Sequence, residues 1–162
     1  MPAYKLVLED VFEQSFKLLA VHSSVEEYKL AFLLNKHLEL KLARERKDID
    51  FQRKGLRVLF AHFTFSDESK FCKYHLVDNI SKGAQPAMES EHSLFGEEQV
   101  GHKKTYLLPE FKQVDFFLKI EDEQDTVSEK IMLEKIKGIS QVSTAYFIDF
   151  HKIKEKENLI FD

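Results

Sequence analysis

The sequence predicts an α+β domain: a ferredoxin-like sandwich, mainly antiparallel, with two helices on one face of its sheet and extra edge strands. Three observations carry that expectation. Two segments of helical period, each opened by a Ser/Thr-x-x-Glu box, separate strand-like runs toward the two ends of the chain. Between them, the apolar runs Leu56–Phe65 and Lys70–Val77 are joined by Ser66-Asp67-Glu68-Ser69, which reads as a hairpin. Five glycines and three prolines in 162 residues leave few breaks, so the elements should be long. A chain of this length predicts one domain, residues 1–162, that buries roughly 70% of its extended surface on folding.

Taken in order, Tyr4–Leu8 reads as a short strand and Phe16–His22 as a more apolar one. Ser24-Val25-Glu26-Glu27 fits a capping box, and a helix from Ser24 to Lys36 should follow. Val25, Tyr28, Phe32 and Asn35 recur on its apolar face, widened by Leu30, Leu33 and Leu34. Leu38, Leu40 and Leu42 alternate with Glu39, Lys41 and Ala43, the pattern of a strand with one wet face. Leu56–Phe65 is apolar on both alternations and reads as one central strand. Ser81–Lys104 holds Gly83, Pro86, Gly96 and Gly101 among polar residues and predicts a mobile surface loop at about 81–104. In the strand Val114–Ile120, Val114, Phe116, Leu118 and Ile120 share one face, and Asp115, Phe117 and Lys119 the other. A second box, Thr126-Val127-Ser128-Glu129, opens a helix to Lys137 with Met132, Leu133, Ile136 and Ile139 inward and Gly138 just past its end. Thr144–Phe150 is another doubly apolar strand, and Asn158–Phe161 ends in three apolar residues.

Composition narrows the function classes. A single cysteine, Cys72, excludes an internal disulfide and suits a reducing compartment. No signal-peptide pattern is apparent in MPAYKLVLED, and no apolar run approaches the roughly 20 residues that span a bilayer, so a cytoplasmic protein without a membrane partner is expected. The net charge of −4 disfavours non-specific nucleic-acid binding. It is uneven, however. Lys41, Arg44, Arg46, Lys47, Arg53, Lys54 and Arg57 face only Glu45, Asp48 and Asp50 in the same segment, which is a solvated face or a docking patch for an acidic partner or a nucleic-acid backbone.

Reaction motifs are missing. There is no P-loop, GxGxxG, GxSxG or HExxH, and Cys72-Lys73-Tyr74-His75 is a lone CxxH whose ends face opposite sides of a strand. His92 and His102 share the long loop without a further ligand pair. Glu121, Asp122, Glu123 and Asp125 lack EF-hand spacing and complement the dipole of the helix they precede. No cofactor is expected. Glu110 and Asp115 could pair as acid and base only if they converged. On a continuous strand they would point to opposite faces with Cα atoms ~16 Å apart. Pro109 favours the beginning of a strand instead.

The stretch Leu108-Pro109-Glu110-x-x-x-Val114-Asp115-Phe116 resembles the signature of the IPExxxVDY family, small uncharacterised proteins of the Bacteroidota. The resemblance extends through LLNKHLELKL (Leu33–Leu42), TAYFIDF (Thr144–Phe150) and NLIF. It implies no activity to carry over. The chain departs from the signature at Leu108 for isoleucine and Phe116 for tyrosine, so chemistry needing a phenolic hydroxyl there is not available to it. The expected function is therefore non-enzymatic: an interaction module binding a protein partner or a second copy of itself through an aromatic sheet face and the basic segment. A nucleic-acid-associated accessory protein using Lys41–Arg57 is the alternative, and an unrecognised enzyme comes third. Phe60, Phe63, Phe65, Phe116, Phe117, Phe147 and Phe150 occupy both faces of their strands, so helices on one face leave the other to be covered by the loop and tail or by a partner. Signatures of a base-stacking sheet are lacking.

Overall fold

The computed structural model describes residues 16–53, 55–81, 84–86 and 104–161. The expected strand Tyr4–Leu8 and most of the expected loop 81–104 lie outside them. Among the described residues, nine strands and two α-helices run in the order β1 (Lys17–Ser23), α1 (Glu27–Leu38), β2 (Ala43–Arg44), β3 (Ile49–Arg53), β4 (Leu56–Phe60), β5 (His62–Asp67), β6 (Cys72–Asp78), β7 (Ala84–Pro86), β8 (Phe116–Asp122), α2 (Glu129–Lys137) and β9 (Val142–Phe147). A six-stranded sheet has the order β2-β5-β6-β8-β1-β9, every pair antiparallel, and a three-stranded sheet has the order β3-β4-β7. The class is α+β with a mainly antiparallel sheet and two helices.

The large sheet has a core on each face. On one, Leu30 and Leu34 of α1 and Met132 and Ile136 of α2 meet Leu19, Val21, Leu76, Leu118 and Ile120. On the other, Leu18, Ala20, Val77 and Phe117 are covered by Val58 and Phe60 of the small sheet, by Leu107, Leu108 and Val114, and by Ile153 and Leu159 of the C-terminal segment. The chain thus closes its own second face. Phe60, Phe63, Phe116 and Phe117 are all buried, so the aromatic sheet face expected to receive a partner is not open.

Several elements differ from their predicted form, each for a local reason. Leu56–Phe65 is two strands: Ala61 interrupts the run, and β4 and β5 pair in different sheets. α1 begins at Glu27 with no side-chain cap, so the Ser24 box is not made. Its buried stripe is Leu30, Ala31, Leu33 and Leu34, which leaves Tyr28 66% and Phe32 64% exposed. The leucines decide because three of them, with Ala31, on one side bury more apolar area than two aromatics. α2 is capped by Ser128, whose Oγ accepts from Ile131 N–H, rather than by Thr126. Leu40 and Leu42 are buried as alternation requires, but only Ala43–Arg44 pairs as a strand. Gly55 takes a left-handed φ of 75° at the β3–β4 turn.

Candidate functional site

The signature residues fold around a residue not singled out in the sequence, Asn79. It follows β6, is fully buried, and uses its whole amide. Nδ2 donates to the carbonyls of Phe111 and Val114, both at 2.8 Å, and Oδ1 accepts from Leu108 N–H at 3.0 Å. Its backbone adds bonds to the Asp115 carbonyl and from Leu107 N–H. These bonds hold Leu107–Asp115 in a compact turn in which Pro109–Phe111 is a short 3-10 helix, not the start of a strand. A further expectation changes with it. Val114 packs with Leu107 and Leu108 on the second face, away from Phe116, Leu118 and Ile120, because a turn bonded from Val114 N–H to the Phe111 carbonyl precedes β8.

Glu110 and Asp115 serve different elements. Glu110 Oε1 accepts from the backbone N–H groups of Lys154, at 2.9 Å, and Glu155, at 3.3 Å, and so ties the C-terminal segment down. Asp115 Oδ2 accepts from Ser23 N–H at 2.9 Å, where β1 leads toward α1. Both carboxylates are backbone acceptors. Leu108, Pro109 and Phe116 are packing or turn positions around them.

The basic segment lies on the outside as β2, the 45–48 turn and the β3–β4 hairpin. Arg44 pairs with Asp48 and lies 5.7 Å over the Phe63 ring, and Arg57 pairs with Asp50 at 2.8 Å. Lys41, Arg46 and Lys47 are exposed and make no ion pair among the described residues. The side chain of Arg53, and Lys54 altogether, fall outside the described residues. Asn35 brackets Leu42 with two bonds, to its carbonyl and from its N–H, which holds Lys41 beside the last turn of α1.

The second sheet face also carries a polar cluster. His62 Nε2 and His75 Nδ1 are 3.0 Å apart. Their ring planes differ by 12° with centroids 5.2 Å apart, so little more than the two ring radii is left beside the N···N distance. The imidazoles therefore lie end to end, as an N–H···N bond requires, and not face to face. His75 Nε2 is buried without a hydrogen-bond partner, its nearest carboxylate oxygen being Glu121 Oε2 at 3.6 Å. Glu121 Oε1 takes an ion pair from Lys119 Nζ at 3.1 Å, and the same amine donates to the Leu159 carbonyl at 2.8 Å. Phe161 covers both imidazoles, with centroids 5.2 and 5.3 Å away.

Burial pushes His75 down to about 4, against the opposing pull of Glu121, and lowers His62 as well, so both rings are neutral at pH 7. Glu121 is held below the usual carboxylate range; burial opposes this but Lys119 outweighs it. It also lines an open cavity of about 600 Å³ with Asp67, Glu68 and Lys73. Chemically, the chain His62–His75–Glu121 could move a proton toward that cavity.

Ser66 and Cys72 also line that cavity. Cys72 lies in the core on the opposite face, its thiol pushed up by burial. Asp122 closes the loop before α2, accepting from Thr126 N–H at 3.0 Å and Val127 N–H at 2.8 Å, while Lys17 pairs with Asp125 at 2.7 Å. Among the described residues no group of three or more His, Cys, Asp and Glu could hold a metal, and His92 and His102 lie outside them.

Sequence reasoning missed Asn79 and the His62–His75 pair. Each depends on pairing between elements: the register sets His62 opposite Val77 and His75 opposite Thr64, so the two rings meet on a diagonal that no spacing in the chain encodes. No family model matches this chain, and neither the curated proteins nor the solved structures yield a similar protein.

Proposed function

We propose that this is a non-enzymatic interaction module whose partner is an acidic protein segment with apolar anchors. The observation that carries the reading is the outer face of α1. Tyr28, Phe32 and Lys36 follow at four-residue spacing, all exposed, with Lys29 alongside and Lys41 held against the last turn. Two large aromatics standing in water beside lysines make an apolar strip with a positive border. That arrangement is complementary to an acidic amphipathic partner. The basic segment expected to dock a partner adds the exposed Arg46 and Lys47 to this reading. This reading puts the aromatic part of the surface on a helix instead of on the sheet.

The reading carries with it membership of the IPExxxVDY family and a cytoplasmic setting, both as expected from the sequence. It also carries a ferredoxin-like description of the sandwich: β9-β1-β6-β5 keeps that order and direction, with β8 inserted between β1 and β6. Among the described residues, no helix is long and apolar enough to cross a membrane.

The test compares wild type with Phe32→Glu and Lys36→Glu in affinity purification from the native host, followed by salt titration of each captured complex. An acidic protein that is retained by wild type, lost with both variants and unaffected by nuclease supports the reading. Capture that survives both variants refutes it. Binding to single-stranded RNA with a steep salt slope, abolished by reversing Arg46 and Lys47, would select the nucleic-acid alternative.

A second reading is favoured by the unpartnered His75 Nε2 behind Glu121: proton transfer at the cavity. A pH-dependent turnover lost in both Glu121→Gln and His75→Gln would establish it.

A further inference from the structure

The small sheet ends on β3, which pairs with β4 and with no other strand among the described residues. The direction of its remaining backbone groups follows from the hairpin. Only two residues separate Arg53 from its partner Leu56, so that pair closes the turn and is hydrogen-bonded. Antiparallel alternation then turns the backbone groups of Phe51 and Ile49 toward β4, and those of Gln52 and Asp50 away from it. The far side of β4 agrees with this phase. Pro86, which has no N–H to give, lies opposite Leu56, and the Leu59 carbonyl accepts from Ser81 Oγ at 3.0 Å. Asp50 and Gln52 are both exposed.

The side chains of β3 alternate as well. Ile49 and Phe51 turn toward the second core and stay half-buried, the Phe51 ring standing edge-on to Phe60 at 6.0 Å. Asp50 and Gln52 lie on the outer face, where Arg57 already matches Asp50 at 2.8 Å. The two ends of the strand are basic. Arg46 and Lys47 precede it, exposed and without an ion pair among the described residues, and Arg53 and Lys54 close it in the sequence. Such an edge is complementary to an extended segment with apolar residues on its core side and carboxylates at its ends.

We propose that the β3 edge takes up an acidic extended peptide of a protein partner, which adds antiparallel as a further strand of the small sheet. Peptide residues opposite Asp50 and Gln52 exchange N–H···O=C bonds with them. Residues opposite Ile49 and Phe51 point to the same face as these two and complete their burial. Carboxylates flanking this stretch lie by the basic ends of β3 and fix the direction and register of the added strand. The small sheet covers the large sheet on the face away from α1, so this surface is separate from the outer face of that helix. The inference rests on the acidic-partner reading for the sign of the partner's charge, and on the open edge for the geometry of binding.

The probe is the acetylated peptide amide Glu-Val-Glu-Val-Thr-Val-Glu-Glu, titrated into the isotope-labelled protein and followed by amide shifts and hydrogen exchange. Binding should shift the amides of Asp50 and Gln52, slow their exchange, and weaken as salt rises. N-methylation of the third and fifth peptide residues, which pair with Gln52 and Asp50, should abolish it. N-methylation of the valine between them, whose N–H faces away from β3, should not. Gln52→Pro removes only an outward N–H and should weaken the probe about tenfold or more, given a cooperative melt of the variant. Arg46→Glu with Lys47→Glu should weaken it too, and the same peptide with lysine for glutamate should not bind. Phe32→Glu should leave probe binding unchanged, so a failure of the α1 surface and a failure of this edge are read separately. Absence of amide shifts in wild type at millimolar probe overturns the proposal. So does equal binding of the two kinds of N-methylated peptide, or slow exchange of the Asp50 and Gln52 amides in the free protein, which would mean that the chain covers its own edge.

Discussion

Asn79→Ala removes the residue on which the signature turn depends. The substitution deletes two donated bonds of 2.8 Å and one accepted bond of 3.0 Å, and strands the carbonyls of Phe111 and Val114 and the N–H of Leu108. Leu108 and Val114 are buried, so these groups regain water only if the turn opens. At about 1 to 1.5 kcal/mol for each buried bond lost without replacement, the expected destabilisation is about 3 to 5 kcal/mol. For a domain of this size that lowers Tm by about 10 °C or more. Urea unfolding followed by circular dichroism measures it, with an unchanged m-value showing that the denatured state is the same. Asn79→Asp tests the polarity of the site. A carboxylate would face two carbonyls, so its pKa rises in the folded state; the penalty is largest at neutral pH and is relieved as pH falls and the acid protonates. A loss below about 1 kcal/mol for Asn79→Ala would refute the claim that this amide holds the turn.

Other outcomes follow from the same geometry. Glu110→Gln and Asp115→Asn should each cost about 1 to 2 kcal/mol, and the double variant should be additive within about 0.5 kcal/mol, because their acceptors bind Lys154–Glu155 and Ser23 respectively; a larger coupling in the denaturation cycle would put both carboxylates in one site. His75 is neutral when folded and titrates at about 4, against 6.5 unfolded, so the unfolded state binds the extra proton between those values. Stability should therefore fall as pH drops through 6.5 and level off below 4, by about 3 kcal/mol from this group. Denaturation midpoints in His75→Gln should show a correspondingly flatter acid limb. Val114→Asp should cost about 4 kcal/mol or more, because Val114 is 1% exposed among apolar neighbours. Phe116→Tyr should stay within about 1 kcal/mol, since Phe116 borders a cavity of about 240 Å³ shared with Asp78 and Asp115, where a hydroxyl finds polar company; calorimetry of the two variants checks both.

Periodicity located what depends on near neighbours. β1, the β5–β6 hairpin, β8, α2 and β9 all form close to where alternation or helical spacing places them, because each buries a face that its own residues define. The carboxylates of the LPEFKQVDF stretch were separable in the chain only on the premise of a continuous strand; a turn stands there instead, and it is their different backbone partners that keep them apart. Cys72 could be judged a packing thiol for want of any neighbour to activate it.

What the chain could not specify by spacing was decided by contacts between distant elements. Ala61 sits in the middle of a run that is apolar on both alternations, and only the presence of two sheets tells β4 from β5. Tyr28 and Phe32 are as apolar in the sequence as Leu30 and Leu34, yet the sheet accepts one stripe of α1 and leaves the other in water. Asn79 is one polar residue after a strand until the turn 35 residues later closes on its amide. His62 and His75 become a pair only through the register of the hairpin. Local patterning fixes which elements form, because burial of a face is a property of consecutive residues; which faces are covered and which polar groups meet is a property of the packed whole.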